Sequence, residues 1–322
     1  MKEVKVLSFG GYVPERIVTN GELMSVVDTS DEWISSRTGI RERRISEGDN
    51  TSDLATKAGK IALERANLNV EDIDLIIVAT TSPDNFTPAT ACVVQGNLGA
   101  VNAFCFDINA ACSGFLFALN TASQFIKTGQ CKTALVIGAE VLSKVVDWTD
   151  RNTCVLFGDG AGAVVISASE VPGILSLHSG SDGSKGMVLT CPAAPLTNMF
   201  LKDETTKCYV KMNGKEVFKF AARVIPDSVE RVLRETNLTL EDIKYIVPHQ
   251  ANMRIIEFAA KKLRLGMDKF YINLHKFGNT SAASIPIALN EMYENGLLLK
   301  GDKIIAVGFG GGLTWGAALI EI

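Results

Sequence analysis

The sequence predicts an α/β protein of two related halves, in which two mixed, mostly parallel sheets sandwich buried helices in αβαβα layers. Three observations predict it. Short apolar runs alternate with longer helical patterns through both halves of the 322-residue chain, as they do where strands are joined by crossover helices. Leu63-Glu-Arg-Ala-Asn67-Leu68-Asn-Val-Glu71-Asp72-Ile73 is echoed 170 positions later by Leu233-Arg-Glu-Thr-Asn237-Leu238-Thr-Leu-Glu241-Asp242-Ile243. Stretches 112–128 and 281–295 are rich in Ala, Ser, Leu and Phe and poor in charge, and a helix apolar nearly all round is a buried one.

The first half reads as strand 75–80, helix 88–98, strand 103–108, helix 112–128 and strand 133–138. Leu75-Ile76-Ile77-Val78 is a continuous apolar run, the pattern of a strand covered on both faces. Phe115, Leu116, Leu119, Ala122 and Ile126 recur at helical spacing. The second half reads as strand 244–248, helix 252–264, strand 270–273, helix 281–295 and strand 303–307. The offset of 170 also lays Asn109 on Asn279, Ala118-Leu119-Asn120 on Ala288-Leu289-Asn290 and Gly138 on Gly308. Helix–loop–strand units share one hydrophobic grammar, which alone makes such segments look somewhat alike; a single offset across four elements favours duplication. The seam falls near Glu170-Val171-Pro172-Gly173, giving an N-terminal half 1–171 and a C-terminal half 172–322. Residues 181–215 have no first-half counterpart and carry Gly183, Gly186, Pro192, Pro195 and Gly214, a long excursion of the kind that covers a site.

Composition narrows the function. A net charge of −4 and a pI near 5.6 argue against a nucleic-acid binder. Seven cysteines with no C-x-x-C pair suit neither a disulfide framework nor a zinc site, so no metal is expected and a reducing compartment fits. The start, Met1-Lys2-Glu3-Val4-Lys5-Val6, is charged and soon strand-like rather than a signal peptide. No apolar run reaches membrane-span length. The expectation is a soluble cytoplasmic protein.

Cys112 is the first candidate. It lies in Asp107-Ile108-Asn109-Ala110-Ala111-Cys112-Ser113-Gly114, where a strand pattern turns into a helical one. Unpaired N–H groups and the positive end of the helix dipole converge there, so its thiol is expected to ionise more easily and act as a nucleophile. The other six cysteines read as small buried hydrophobes. The offset places His249, in Pro248-His249-Gln250-Ala251-Asn252, at the end of the second-half strand, and Asn279, in Gly278-Asn279-Thr280-Ser281, before the partner helix. Strand carboxyl ends are where ligands bind in such sheets, so Cys112, His249 and Asn279 are expected to converge on one pocket. A polar strand end for His249 and ordinary N-cap chemistry for Asn279 remain open on local sequence.

Gly308-Phe309-Gly310-Gly311-Gly312 suits either an oxyanion hole or a β-bulge. It is no dinucleotide fingerprint, since Leu313 and Trp315 occupy the third-glycine positions. Arg254, Lys261 and Lys262 fall on one side of helix 252–264, as a solvated face or a dock for an acidic partner. Trp33 and Arg37, read as exposed, suit stacking of a purine and holding of phosphate, or a surface ion-pair network.

Together, DINAACSGF, HQAN, GNTSAAS, GFGGGLTWG, DEWISSRTGIRERR and LFGDGAGA resemble the β-ketoacyl-acyl-carrier-protein synthase III family across essentially the whole chain. The resemblance implies a thiolase-like duplicated fold and a decarboxylative condensation of an acyl-CoA primer with malonyl-acyl carrier protein (ACP), starting type II fatty acid synthesis without a cofactor. It implies Cys112 as the acyl acceptor, the backbone N–H groups of Cys112 and Gly311 as oxyanion hole, and His249 with Asn279 as donors to the malonyl thioester carbonyl. It further implies Trp33, Arg37, Arg151 and Asn252 as CoA contacts, Arg254, Lys261 and Lys262 as the ACP patch, and a homodimer in which a segment near Thr87 reaches the partner's acyl pocket. Asn279 separates the chain from elongating synthases, which place a second histidine there, and Gly308-Phe309 separates it from thiolases with a second cysteine. Plant-type polyketide synthases share the Cys-His-Asn set. A cysteine-dependent thioester hydrolase and a non-catalytic carrier-protein binder are the rival readings from other classes.

Overall fold

The computed structural model describes residues 2–201 and 208–322. The first half contains β1 (Glu3–Tyr12), a ribbon of β2 (Ile17–Thr19) and β3 (Glu42–Arg44), α1 (Asn20–Leu23), α2 (Asp31–Thr38), α3 (Thr51–Ala66), β4 (Leu75–Ala79), α4 (Thr90–Leu98), β5 (Phe104–Ile108), α5 (Gly114–Lys127), β6 (Thr133–Glu140) and β7 (Gly160–Ser169). The second contains β8 (Ile174–Ser181), a ribbon of β9 (Leu189–Thr190) and β10 (Lys211–Met212), α6 (Gly214–Thr236), β11 (Tyr245–Pro248), α7 (Met253–Leu263), α8 (Leu274–Phe277), α9 (Ser284–Glu294), β12 (Lys303–Gly310) and β13 (Thr314–Glu321).

The sheets run β1-β7-β6-β4-β5 and β11-β12-β13-β8. The duplication is visible residue by residue. β6 and β12 start at Thr133 and Lys303, and α5 and α9 at Gly114 and Ser284, both 170 apart. Asn67 and Asn237 close α3 and α6 in the same left-handed conformation, at φ 53° and 54°, a geometry asparagine tolerates at helix ends. The register slips between β4 and α5, where α4 and α7 start 163 apart, and lapses after β6 and β12: residues 141–159 lead to β7, but 311–313 suffice to reach β13.

α5 packs on β4 and β6 of one sheet and β13 and β8 of the other, and α9 likewise touches β1, β7, β11 and β12. Hence their apolar composition: Phe115, Leu119, Ala288 and Leu289 are fully buried, and truncating such a leucine costs about 2–5 kcal/mol. α3 covers one outer face and α6 with α7 the other, completing the αβαβα layers.

Two details differ from expectation. Parallel pairing is confined to β4–β5, β4–β6 and β11–β12, while the other four pairs are antiparallel, so the sheets are mixed without a parallel majority. The predicted strand 270–273 is a single parallel bridge, Phe270 to Ile246, before α8 turns the chain toward Asn279. The excursion 181–215 folds its ends into the β9–β10 ribbon; its residues 202–207 lie outside the described residues. Among the described residues, no helix is long and apolar enough to cross a membrane.

Candidate active site

Cys112 sits in a one-turn helix, Ala111–Ser113, between β5 and α5. The second half holds this turn in place. Thr314 Oγ1 on β13 donates to Ala110 O at 2.9 Å and accepts from Ser113 Oγ at 2.6 Å. Two cavities meet at the cysteine. One, about 260 Å³, runs past Thr81, Leu142, Cys191 and Ser281; the other, about 120 Å³, is lined by His249, Asn252 and Asn279. Phe157 and Leu189 border both. The excursion therefore does lie over the site, through Leu189, Thr190, Cys191 and Val210.

The expected easy ionisation of Cys112 is not met. Burial pushes the thiol up to about 12, a Ser281 hydrogen bond pulls it down, and the Glu140 charge pushes it up again. Desolvation outweighs the helix end because the side chain is cut off from water.

His249 ends the β11 connection, with its N–H donating to Val307 O at 2.8 Å. Its Nδ1 lies 2.7 Å from Ser284 Oγ, which also accepts from Gln250 N at 3.4 Å. With Gln250 N on one of its lone pairs, the hydroxyl can give its proton to Nδ1, the arrangement that puts the ring hydrogen on Nε2. Burial holds the ring at about 3, far below its usual value, so the imidazole is neutral. Phe309 packs edge-on against it, centroids 5.3 Å apart. Asn279 Oδ1 accepts from Ser281 N at 2.9 Å, which leaves its NH₂ group as the donor for a ligand. The cavity thus presents two neutral donors opposite a sulfur, an arrangement suited to a carbonyl oxygen gaining negative charge.

Gly311 lines the larger cavity beside Cys112. Trp33 is half-buried rather than exposed; the guanidinium carbons of Arg37 and Arg151 stand 4.7 Å and 5.1 Å from its ring centroid. Asn252 caps α7 through Arg254 N and donates to Arg37 O at 3.1 Å. Arg254, Lys261 and Lys262 are exposed on α7; Arg254 Nη2 donates to Ser36 O at 2.9 Å and Lys262 pairs with Asp227. The structure brings the first group together at one rim and the second along one helix face. Thr87 is exposed beside Phe86, away from both cavities.

Of the six cysteines read as buried, only Cys131 and Cys154 are; Cys92 and Cys191 are exposed and Cys105 and Cys208 half-buried. Three residues escaped the sequence reading: Ser284, Ser281 and Glu140. The first two stand inside GNTSAAS, where serine after a turn reads as capping. Glu140 ends an otherwise apolar strand, and a lone acid at a strand's carboxyl end was its only signal.

A family model described as 3-oxoacyl-[acyl-carrier-protein] synthase III matches residues 106–183, and its C-terminal counterpart matches 233–322. The chain is 60% identical to the β-ketoacyl-[acyl-carrier-protein] synthase III of Clostridium acetobutylicum, covering 100% of this chain and 99% of that one. It is similar to the crystal structure of 3-oxoacyl-[acyl-carrier-protein] synthase III from Aquifex aeolicus, with TM-score 0.93 and 46% identity over 99% of this chain and 100% of that one. It is also similar to the priming β-ketosynthase of the R1128 polyketide pathway, with TM-score 0.94 and 34% identity over 100% of this chain and 96% of that one. On these grounds the chain belongs to the β-ketoacyl-[acyl-carrier-protein] synthase III family, acyltransferases of the condensing type that initiate fatty acid synthesis.

Proposed function

We propose that the chain takes an acyl group from acyl-CoA onto Cys112 and condenses it with malonyl-ACP. The observation that carries this reading is the meeting of two cavities at one sulfur: the larger, mostly apolar one holds the acyl chain, and the smaller brings the thioester under His249 and Asn279. The N–H groups of Cys112 and Gly311 form the oxyanion hole for the acyl transfer. When malonyl-ACP loses CO₂, charge builds on its thioester oxygen, and Nε2–H of His249 with the Asn279 amide stabilises that charge more than the ground state. The carbanion then attacks the acyl thioester in a site closed to water.

Trp33, Arg37, Arg151 and Asn252 bind CoA at the rim, and Arg254, Lys261 and Lys262 receive the acidic carrier protein. Both acyl donors are substrates, and the chemistry calls for no cofactor or metal. A homodimer is supported by the open edge strand β5 and by the exposed Phe86, Val101 and Phe104 around it; there Thr87 enters the partner's acyl pocket and, being small, admits primers larger than acetyl. The protein acts in the cytoplasm, and its two functional halves are 1–171 and 172–322.

The test is intact-protein mass spectrometry after exposure to acetyl-, isobutyryl- and octanoyl-CoA, with CO₂ release from malonyl-ACP measured in parallel. An acyl adduct lost in Cys112→Ala, with CO₂ release retained, supports the reading. No adduct on the wild type would leave only a carrier-protein binder, and adduct turnover to free acid without CO₂ release would indicate a hydrolase. Strict acetyl preference would sink the pocket assignment for Thr87.

A further inference from the structure

Two cysteines that read in sequence as buried apolar residues face each other. Cys92 lies on α4 and is exposed; Cys105 lies on β5 and is half-buried. Cys105 Sγ donates to Cys92 Sγ at 3.4 Å. The neighbouring geometry holds them there. Successive side chains along a strand point to opposite faces, so Phe104 and Phe106 turn toward Phe125 of α5 while Cys105 and Asp107 turn toward α4. The Asp107 carboxylate accepts from Thr90 N and Ala91 N at 2.7 Å each, satisfying the first two amides of that helix. Cys92 stands one residue further along α4, and Cys105 two residues back along β5. The carboxylate therefore seats helix on strand next to the level where the sulfurs meet. Neither cysteine lines the cavities at Cys112.

We propose that Cys92 and Cys105 are a thiol–disulfide site, closed by hydrogen peroxide and reopened by a dithiol reductant. The exposed Cys92 meets the dissolved oxidant first. Its thiol gives up a proton, Sγ bonds to one peroxide oxygen as the oxygen–oxygen bond breaks, and the hydroxide released takes that proton as water. Cys92 is left as a sulfenic acid. Cys105 then loses its proton, its sulfur bonds to Cys92 Sγ, and the sulfur–oxygen bond breaks. The departing hydroxide and that proton form the second water. The two sulfurs have given two electrons to the peroxide oxygens, and a dithiol returns them by exchange through a mixed disulfide.

The surroundings assign the roles. Burial and the hydrogen bond to Cys92 push the Cys105 thiol up to about 12, so it is the resolving partner rather than the sulfur that meets the oxidant. Sulfurs that start 3.4 Å apart have about 1.4 Å to close before they bond. Cys191 and Cys208 offer no such pair: each thiol faces a backbone carbonyl, Cys208 O at 3.9 Å and Ala193 O at 3.0 Å. The bridge also lies where it matters to the cavity at Cys112. β5 runs directly into Asn109–Cys112, and α4 follows the segment that starts at Thr81; Thr81, Asn109 and Ala110 all line that cavity. Oxidation thus ties together the two segments that enter it.

The test treats the whole chain with hydrogen peroxide, without denaturant, and maps its peptides by mass spectrometry before and after dithiothreitol. Wild type is compared with Cys92→Ser, Cys105→Ser and Cys112→Ala. The expected result is a loss of about 2 Da and a Cys92–Cys105 cross-linked peptide in wild type and in Cys112→Ala, both reversed by dithiothreitol, with no bridge in Cys92→Ser. Dimedone, which traps sulfenic acids, should label Cys92 about tenfold more in Cys105→Ser than in wild type, where Cys105 consumes the acid. A bridge that forms only in urea overturns the site, as does equal dimedone labelling of Cys92 with and without Cys105. So does a bridge from Cys92 to a second copy of the chain. Oxidation of Cys112 or Cys191 that leaves both thiols free would also overturn it, and the two sulfurs would then be packing partners only.

Discussion

Ala111 and Ser281 hold the same left-handed backbone, φ 46° and 48°, at positions 170 residues apart. Each starts a one-turn helix ahead of a buried helix, and each gives its N–H to the asparagine two residues before it, Asn109 at 3.3 Å and Asn279 at 2.9 Å. For non-glycine residues this geometry costs about 1–2 kcal/mol each. One turn, inherited twice, serves two purposes. In the first half the next residue is Cys112; in the second it is Ala282, and the asparagine itself faces the smaller cavity. The two copies meet because α5 and α9 are packed between the sheets.

Gly310 follows from the same crowding. A Cβ built there would stand 2.6 Å from Cys112 N and 3.1 Å from Cys112 Cβ. Gly310→Ala must move either β12 or the Cys112 turn. We expect a loss of about 1–3 kcal/mol in stability, and acylation slowed about a hundredfold by misplacement of the sulfur. Thermal melting and adduct formation measured on the same sample check it; unaltered acylation would mean the turn yields freely.

Ser284 Oγ stands 2.7 Å from His249 Nδ1, where donation of its proton would keep the ring hydrogen on Nε2. Ser284→Ala removes the donor to Nδ1, so the ring is free to carry its hydrogen on the wrong nitrogen. CO₂ release from malonyl-ACP should fall about tenfold, the worth of one hydrogen bond, while acylation from acyl-CoA stays near the wild-type rate. A matched fall in both steps would show that Ser284 acts on the fold instead.

The sequence made the architecture legible because duplication leaves a register: Asn67 with Asn237 and Gly138 with Gly308 needed no structure to be aligned. Cys112 and His249 were legible by the strands that precede them, and Asn279 through the duplication alone, since α8 and not a strand leads to it. The supporting groups were not. Ser281 and Ser284 look like caps until the cavity at Cys112 and the ring of His249 are seen beside them, and Glu140 gains its meaning only from the hydroxyls of Thr80, Thr81 and Ser82. The thiol's ionisation was misjudged because a helix end shows in sequence and desolvation does not. The strand expected at 270–273 failed because three apolar residues there cover the core from a loop.

Acid should expose the neutral state of His249. Its folded value of about 3 lies below the ~6.5 of an unfolded chain. The unfolded state therefore binds the extra proton between those values, and the contribution of this group to stability is full above pH 6.5 and declines as pH falls toward 3. His249→Gln removes that term. Urea midpoints of wild type and variant should draw together between pH 7 and pH 4.5, the wild type losing more. Parallel lines across that range would show that the ring is already protonated or exposed.

Trp33 tests the rim. The guanidinium carbons of Arg37 and Arg151 stand 4.7 Å and 5.1 Å from its ring centroid; such contacts are worth about 0.5–1 kcal/mol each where water reaches them. Arg151 is further tied to Asp28 O at 2.9 Å, and Arg37 O accepts from Asn252, so the rim and the lip of the inner cavity are one connected set. On the proposed reading a nucleotide donor uses both cations and the ring, and a truncated donor uses neither. Trp33→Ala should therefore raise KM for acetyl-CoA about tenfold, as expected if both contacts are lost, with kcat retained. Turnover of the acetyl thioester of N-acetylcysteamine, which lacks the nucleotide, should not change. If the truncated substrate suffers equally, Trp33 supports the cavity wall rather than the cofactor-like tail of the substrate, and the rim assignment for Arg37 and Arg151 falls with it.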